Sequence, residues 1–565
     1  MFTATLKAIV GNAQVITDAK ATRPYRTGFR CGGGNALAVV RPRSLVEQWR
    51  VLEACVAANK IVILQAANTG LTGGSTPAVE GYDRDVVIVN TMLIARLFVI
   101  DEGRQVICLS GATLYQLEEA LEPYGREPHS VIGSSCIGAS VIGGICNNSG
   151  GALIRRGPAY TQMALFARLD GNCRLQLVNH LGVQLGQDPE QMLGRLERGE
   201  FDASNIEHDP NRCGSDCNYV QRVREIDSSS PARFNADPRR LFEASGSAGR
   251  LALFAVRLDT FKKDDQTRVF YIGSRDPAEF TALRRHILGC FENLPVAGEY
   301  MHRDMFDIAA SYGKDAFLTI EHLGTKRVTG LLKVKRALDS LFSHRGLHWL
   351  GSSDRWFQRL SYLVPNHLPA RMRTFRDRFE HHLILKMADN GIDEAARHLK
   401  SIFPSPSGDF FDCTEVEARK AFLHRFVAAG AAVRYRAVHG REVEGIVALD
   451  IALKQDDRDW FETLPGDVRA QVHMALYYGH FFCHVFHQDY LVRKGCDTVA
   501  LEHRLWKLLD SRGAEYPAEH NVGHLYHAKP VLAEFYRSLD PCNQFNPGIG
   551  QTSRYAYWNE PGVTL

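Results

Sequence analysis

Two glycine- and serine-rich stretches and a histidine-rich C-terminal third hold the residue types from which this 565-residue chain can build a chemical site. The first stretch, Gln65-Ala66-Ala67-Asn68-Thr69-Gly70-Leu71-Thr72-Gly73-Gly74-Ser75-Thr76-Pro77, follows an apolar run that begins at Ile61. Glycines let the backbone approach an anion, and successive N–H groups in such a loop make an anion nest, so a diphosphate suits it. The second stretch runs from Pro128 through Gly133, Ser140 and Gly144 to Gly150 and Gly151. One such run is as readily a tight turn; two together argue for a cradle. Neither matches G-x-G-x-x-G or G-x-x-x-x-G-K-[ST], which excludes the nicotinamide and P-loop fingerprints. Bases that titrate near neutrality are offered by Gly479-His480-Phe481-Phe482-Cys483-His484-Val485-Phe486-His487 and by Glu519-His520-Asn521-Val522-Gly523-His524. Arg425 either offers a guanidinium fork for a carboxylate or belongs to a basic surface segment.

The elements that must position these groups are short. Ile61–Gln65, Val86–Asn90 and Val106–Leu109 are β-branched runs bounded by turn signals and predict buried strands. Thr113 followed by Gln116 predicts a capping box that opens a helix through Leu121. The alternation predicts an α+β chain of several domains, with no repeat of solenoid length. His208, Cys213 and Cys217 are read as loop residues, because a four-ligand zinc site needs a second ligand pair. Glu380-His381-His382 lacks H-E-x-x-H spacing and is read as a helix edge.

Composition is that of a globular protein: 45% hydrophobic, 23% charged and 10% aromatic. The 13 cysteines have no pairing rhythm and are read as reduced thiols in a cytoplasmic protein, and no secretory leader is recognised. The longest uncharged run, Pro128 to Ile154, is too rich in Gly, Ser and Asn for a membrane helix. Between Lys326 and Lys386 there are 13 Lys/Arg and 4 Asp/Glu, a local +9 in a chain whose formal charge is +3. That segment also holds Trp349, Trp356, Phe357, Phe375 and Phe379, and basic residues mixed with aromatics predict contact with an anionic membrane surface. Ala418 to Arg441, with six Lys/Arg and no acid, is a second basic segment. No nucleic-acid motif accompanies either, so nucleic acid is not expected as a partner.

The strand followed by A-A-N-T-G-L-T-G-G-S, with P-H-S-V-I-G-S-S and G-G-I-C-N-N-S-G-G beyond it, resembles the FAD-binding domain of the vanillyl-alcohol-oxidase (PCMH-type) flavoproteins. More closely, nearly the whole chain resembles the bacterial quinone-dependent, membrane-associated D-lactate dehydrogenase family. The resemblance implies non-covalent FAD, its diphosphate held by Ala66, Ala67, Asn68, Thr69, Gly70, Gly74 and Ser75, its flavin lined by Gly133, Ser140 and Gly150. The turn Gly246-Ser247-Ala248-Gly249 leading into Leu253 matches the element beside the adenine. In related 2-hydroxyacid dehydrogenases a G-H-x-x-D-G-N-x-H element binds a divalent metal. His480 and His487 keep its histidines while Phe482, Cys483 and His484 replace its core, so a metal held by His480, His487 and Glu519 stays open. Glu519-His520 resembles an E-H-G-[IV]-G element whose histidine takes the substrate proton. His520 is the first choice of base, with His487, His480 and His524 as alternatives, and Arg425 resembles the carboxylate-binding arginine. Asp540-Pro541 and Asn546-Pro547-Gly548 resemble the closing turn that returns to the flavin domain.

The expected layout is a PCMH-type FAD domain over 1–260 completed by 511–565, an α+β cap over 261–322 and 387–510, and a basic, mainly helical membrane-binding insert over 323–386, with 418–441 also facing the membrane. The expected reaction is oxidation of D-lactate to pyruvate by hydride transfer to flavin N5, with electrons passed to a membrane quinone (ubiquinone or menaquinone) on the cytoplasmic face of the inner membrane. Another D-2-hydroxy acid such as 2-hydroxyglutarate, or a membrane-surface binding module without catalysis, are the alternatives.

Overall fold

The apolar run Ile61–Gln65 pairs in parallel with Val86–Asn90, and Val86–Asn90 pairs in parallel with Ala38–Val40, to which the short strand Val15–Ile16 is added antiparallel. The computed structural model describes residues 2–28, 31–129, 138–323, 358, 366–519 and 522–559. A second sheet, antiparallel throughout, has the order Leu97–Ile100, Gln105–Leu109, Ala252–Asp259, Ala164–Leu169, Leu175–Asn179. Its second strand begins one residue before the expected Val106. The helix Leu114–Leu121 opens on the expected box: Thr113 accepts from the Gln116 N–H and the Gln116 side chain reaches back to the Thr113 N–H. An apolar core that includes Trp49, Val62, Leu165 and Phe254 fills the space around both sheets.

The second half of the chain builds a seven-stranded antiparallel sheet in the order Gly408–Asp412, Thr267–Ser274, His381–Ala388, Ala297–His302, Val472–His480, Val485–Arg493, Val443–Ala452. Alternation along Ala297–His302 sends Tyr300 into the core under helices Pro277–Cys290, Asn390–Ile402 and Thr498–Arg512. Met301 goes to the opposite face, covered by Arg303–Tyr312, Glu415–Phe426 and Ala428–Val438. Glu299 shares the Met301 face, which is why a charged residue in this strand can be brought to a site.

The C-terminal segment ties the parts together. Val62 donates to the Gln544 carbonyl at 3.0 Å, Asn546 donates to the Val62 carbonyl at 2.8 Å, and Ala452 and Glu515 exchange backbone bonds of 2.8 and 2.9 Å. This return brings Cys542 to Cys173, with Cα atoms 5.8 Å apart, and the two form a disulfide. The expectation of uniformly reduced thiols is corrected for that pair, since a sequence separation of 369 hides the approach from any spacing rule.

Three further expectations change. Glu380-His381-His382 is no helix edge: His381 and His382 open the central strand His381–Ala388 and are buried, so the stretch delimited at 386 runs into the sheet. Helix Ala370–Arg378 buries Phe375, and Phe379 beyond it is buried too. Three of its four arginines are paired: Arg371 with Glu417 (Nε at 2.8 Å), Arg376 with Asp307 (Nε at 2.6 Å) and Arg378 with Asp409 (2.9 Å). In the second basic segment Lys420 lies 3.2 Å from Glu321, and Arg425 and Arg434 pair with Glu299 and Asp315. Acids from distant segments therefore neutralise much of the charge that composition left uncovered. Trp349, Trp356 and Phe357 lie outside the described residues.

Burial, with the charges of His302 and Arg303 nearby, lowers His381 to about 3, and burial with His367 nearby lowers His424 to about 3. Such groups stay neutral in the fold while the unfolded chain takes up protons near pH 6.5. Their contribution is fully present above that pH and is lost as pH falls toward the folded values, by about 1.4 kcal/mol per pH unit for each histidine. Chemical denaturation at pH 7 and pH 5 should show lower stability at pH 5, and His381→Asn should flatten the difference.

Candidate active site

A cavity of about 410 Å³ lies where the first two sheets meet the seven-stranded sheet. Ala66, Ala67, Asn68, Thr69, Gly70, Gly74 and Ser75 line it from the first loop, Ser140 and Gly150 from the second, Leu253 from the strand beside them, and His480, His487 and Glu519 from the far side. Gly133 and His520 lie outside the described residues, and Arg425 stands behind the wall.

The first loop is held open by its own polar groups. The Gln65 amide donates to the carbonyls of Tyr25 (2.8 Å) and Ser75 (2.7 Å), and the Ser75 hydroxyl donates to Asn68 Oδ1 at 3.1 Å. Asn68 adopts a left-handed φ of 51°, which asparagine tolerates better than most residues with a side chain. Among the described residues the backbone N–H groups of Ala66 to Gly70 find no protein acceptor. A Cβ added at Gly70 would meet nothing within 4 Å. Unpaired donors around open space are what a dinucleotide diphosphate requires, so the loop fits FAD. In the second loop the Ser140 hydroxyl accepts from Gly143 N–H at 3.1 Å and is spent as a helix cap.

The turn after Glu519 is locked onto the first loop. Gly523 has φ +43°, and a Cβ there would collide with the Thr72 carbonyl; His524 N–H donates to that same carbonyl at 2.8 Å. This close approach accounts for the glycine that ends the E-H-N-V-G stretch.

On the far side the charges are arranged around Glu299. Its carboxylate meets His480 Nδ1 at 2.7 Å and Arg425 Nε at 2.8 Å, and the Arg425 guanidinium lies 4.6 Å from the Tyr478 ring centroid. Burial opposes ionisation of Glu299, but His480 and Arg425 outweigh it and hold its pKa below the usual carboxylate range. His487 Nδ1 lies 3.5 Å from Asp450 Oδ1, and the two imidazoles of His480 and His487 meet edge to face at 5.4 Å. Burial and the neighbouring Glu519 carboxylate push Asp450 well above its ordinary value, favouring its protonated form.

Glu519 is engaged by Arg233, a buried ion pair. Among the described residues no three His, Cys, Asp or Glu groups are placed to hold a metal ion. The donor set does not fit the metal left open by the resemblance, because the cation facing Glu519 is a guanidinium and, among the described residues, no three ligand groups converge at His480 and His487. Glu299, Asp450 and Arg233 were not singled out in the sequence; the one trace of Glu299 is a charged residue on the inward face of an apolar strand, and Arg233 and Asp450 leave none.

The family model for "FAD binding domain" matches residues 36–166, and that for "D-lactate dehydrogenase, membrane binding" matches residues 269–558. The chain is 56% identical over 555 residues to the quinone-dependent D-lactate dehydrogenase of Escherichia coli (strain K12), covering 98% of this chain and 97% of that protein. It is 54% identical to the Haemophilus influenzae enzyme of that name, covering 98% of each. In fold it is similar to p-cresol methylhydroxylase with substrate bound, at a TM-score of 0.58 and 12% identity over 97% of this chain and 96% of the other. Among the described residues no helix is long and apolar enough to cross a membrane. With more than half of its residues identical over nearly full length, the chain belongs to the quinone-dependent D-lactate dehydrogenase family.

Proposed function

We propose that the chain oxidises D-lactate to pyruvate in this cavity and passes the electrons to a membrane quinone. The observation that carries the reading is one cavity in which flavin-type loops face two histidines, with an arginine–glutamate pair behind them. Bound FAD supplies the acceptor for the two electrons and the hydrogen that leave the lactate α-carbon, and reoxidation by quinone closes the cycle. The chain's own residues supply the rest. Arg425, behind the cavity wall and 2.8 Å from Glu299, is the guanidinium whose positive charge would attract the substrate carboxylate. His487, and His480, which is held by Glu299, bind the hydroxyl. His520, next in sequence to Glu519, takes the hydroxyl proton, so that hydride and proton both leave and the C–O single bond becomes the pyruvate carbonyl. Steady-state reduction of a short-chain quinone should require D-lactate and should fall by about 100-fold or more in His520→Ala, the loss typical of a removed general base. A larger loss in His487→Ala would move the base to that residue.

The membrane contact is proposed to lie on the cytoplasmic face and to depend on anionic lipid. Residues 326–365 hold eight Lys/Arg against two Asp. Each basic residue near an anionic leaflet contributes on the order of 1 kcal/mol at low salt. Vesicles containing anionic lipid should bind the protein in a salt-sensitive manner, and Lys333→Glu with Lys335→Glu and Arg336→Glu should weaken that binding. Arg371→Ala and Arg378→Ala, whose guanidinium groups are already paired, should leave it nearly unchanged; the reverse ranking would place the lipid contact on helix Ala370–Arg378.

A further inference from the structure

Arg233 is a buried charge that the proposed chemistry does not use. Its side chain is 2% exposed, and its Nη2 donates both to the Glu519 carboxylate and to the Gly151 carbonyl. Two residues on, the Asn235 amide donates to the Asn147 carbonyl at 3.0 Å and to the Glu519 backbone carbonyl. One irregular segment thus ties the cavity-lining turn at 147–151 to the Glu519 turn on the opposite side. Burial disfavours the Arg233 charge, but Glu519 overrides it and keeps the guanidinium protonated. Its Nε and Nη1 are buried without a hydrogen-bond acceptor.

A divalent ion at Glu519 would need that carboxylate together with at least two further ligands at roughly 2.0–2.2 Å. Here the carboxylate is already taken up by a cation fixed to the chain. We infer that Arg233 supplies permanently, against Glu519, the positive charge that a bound divalent metal supplies in metal-dependent relatives, and that this chain works without such a metal. Arg233 is a positioning residue: it acts through Glu519 and the Gly151 carbonyl. The inference rests on the reading of the cavity as the site of D-lactate oxidation.

The test uses the FAD-loaded wild type, Arg233→Lys and Arg233→Met, with metal content per flavin, Mn²⁺ titration by electron paramagnetic resonance and anaerobic flavin bleaching by D-lactate. The wild type should carry substoichiometric metal, take up no Mn²⁺ at the site and bleach at the same rate after EDTA. Arg233→Met should keep its flavin, bleach about 100-fold more slowly, a loss in the range expected for a broken buried ion pair, and recover part of the rate with added guanidinium ion. Arg233→Lys should fall between the two. One metal per flavin in the wild type, with bleaching lost to EDTA and restored by Mn²⁺, overturns the inference, as does an Arg233→Met enzyme within about twofold of wild type. If Arg233→Met loses its flavin, metal content, EDTA response and Arg233→Lys still decide. If D-lactate does not bleach the wild type, the functional reading fails while metal content and Mn²⁺ uptake continue to test the inference.

Discussion

Glu299→Gln is expected to lower kcat/KM for D-lactate by roughly 100- to 1000-fold, with a clear drop in thermal stability. Glu299 is buried and its two oxygens serve two different groups, His480 Nδ1 at 2.7 Å and Arg425 Nε at 2.8 Å. Removing one partner of a buried ion pair is destabilising by about 3–5 kcal/mol, because the surviving charge stays desolvated. The lower part of that range, about 3–4 kcal/mol, corresponds to two to three decades in rate if it is lost from the transition state. Glutamine keeps the shape and one acceptor, so the effect isolates charge rather than volume. The loss should fall on KM as well as kcat, since Arg425 would lose the contact that aims it. A variant within about threefold of wild type would mean that the Tyr478 ring alone holds Arg425 in place.

Gly150→Ala is the second large effect. A Cβ at Gly150 would collide with the Glu519 carboxylate, which is itself fixed by Arg233, so neither side can yield cheaply. Overpacking of this kind costs about 1–3 kcal/mol, and here it falls on a loop that lines the flavin cavity. Titration of the apoprotein with FAD should show affinity weakened by about 5- to 150-fold, and the purified protein should be paler than wild type. Gly430→Ala is the matched control. An added Cβ there meets nothing within 4 Å, the position is exposed inside helix Ala428–Val438, and the change should be neutral or stabilising by up to about 1 kcal/mol. Equal flavin retention in Gly150→Ala and wild type would show that Glu519 can move away from the loop.

What was legible in the sequence was local. The strand Ile61–Gln65 and its glycine loop, the strand Val86–Asn90 and the Thr113–Gln116 capping box are each written within a dozen residues, and they stand as expected. The loops, His480, His487 and Glu519 meet at one cavity. What was hidden is the pairing of charges across the chain. Arg425 reads as surface or substrate ligand until the sheet brings Glu299 beside it, and Glu519 reads as a metal ligand until Arg233 arrives from a segment 286 residues away. The same blindness made helix Ala370–Arg378 look like bare positive charge, when Asp307, Asp409 and Glu417 neutralise most of it. Two adjacent histidines with an apolar run behind them, His381 and His382, fit a strand as well as a helix, and only sheet pairing with Ser274 and Gly273 decides.

Oxidation of D-lactate on FAD is the reaction proposed for this cavity. Anaerobic mixing of the purified protein with D-lactate, L-lactate and D-2-hydroxyglutarate, followed by the flavin absorbance, tests it most directly. D-lactate should bleach the flavin rapidly, and the other two slowly or not at all. A protein that contains flavin yet is bleached faster by D-2-hydroxyglutarate, or by none of the three, would contradict it.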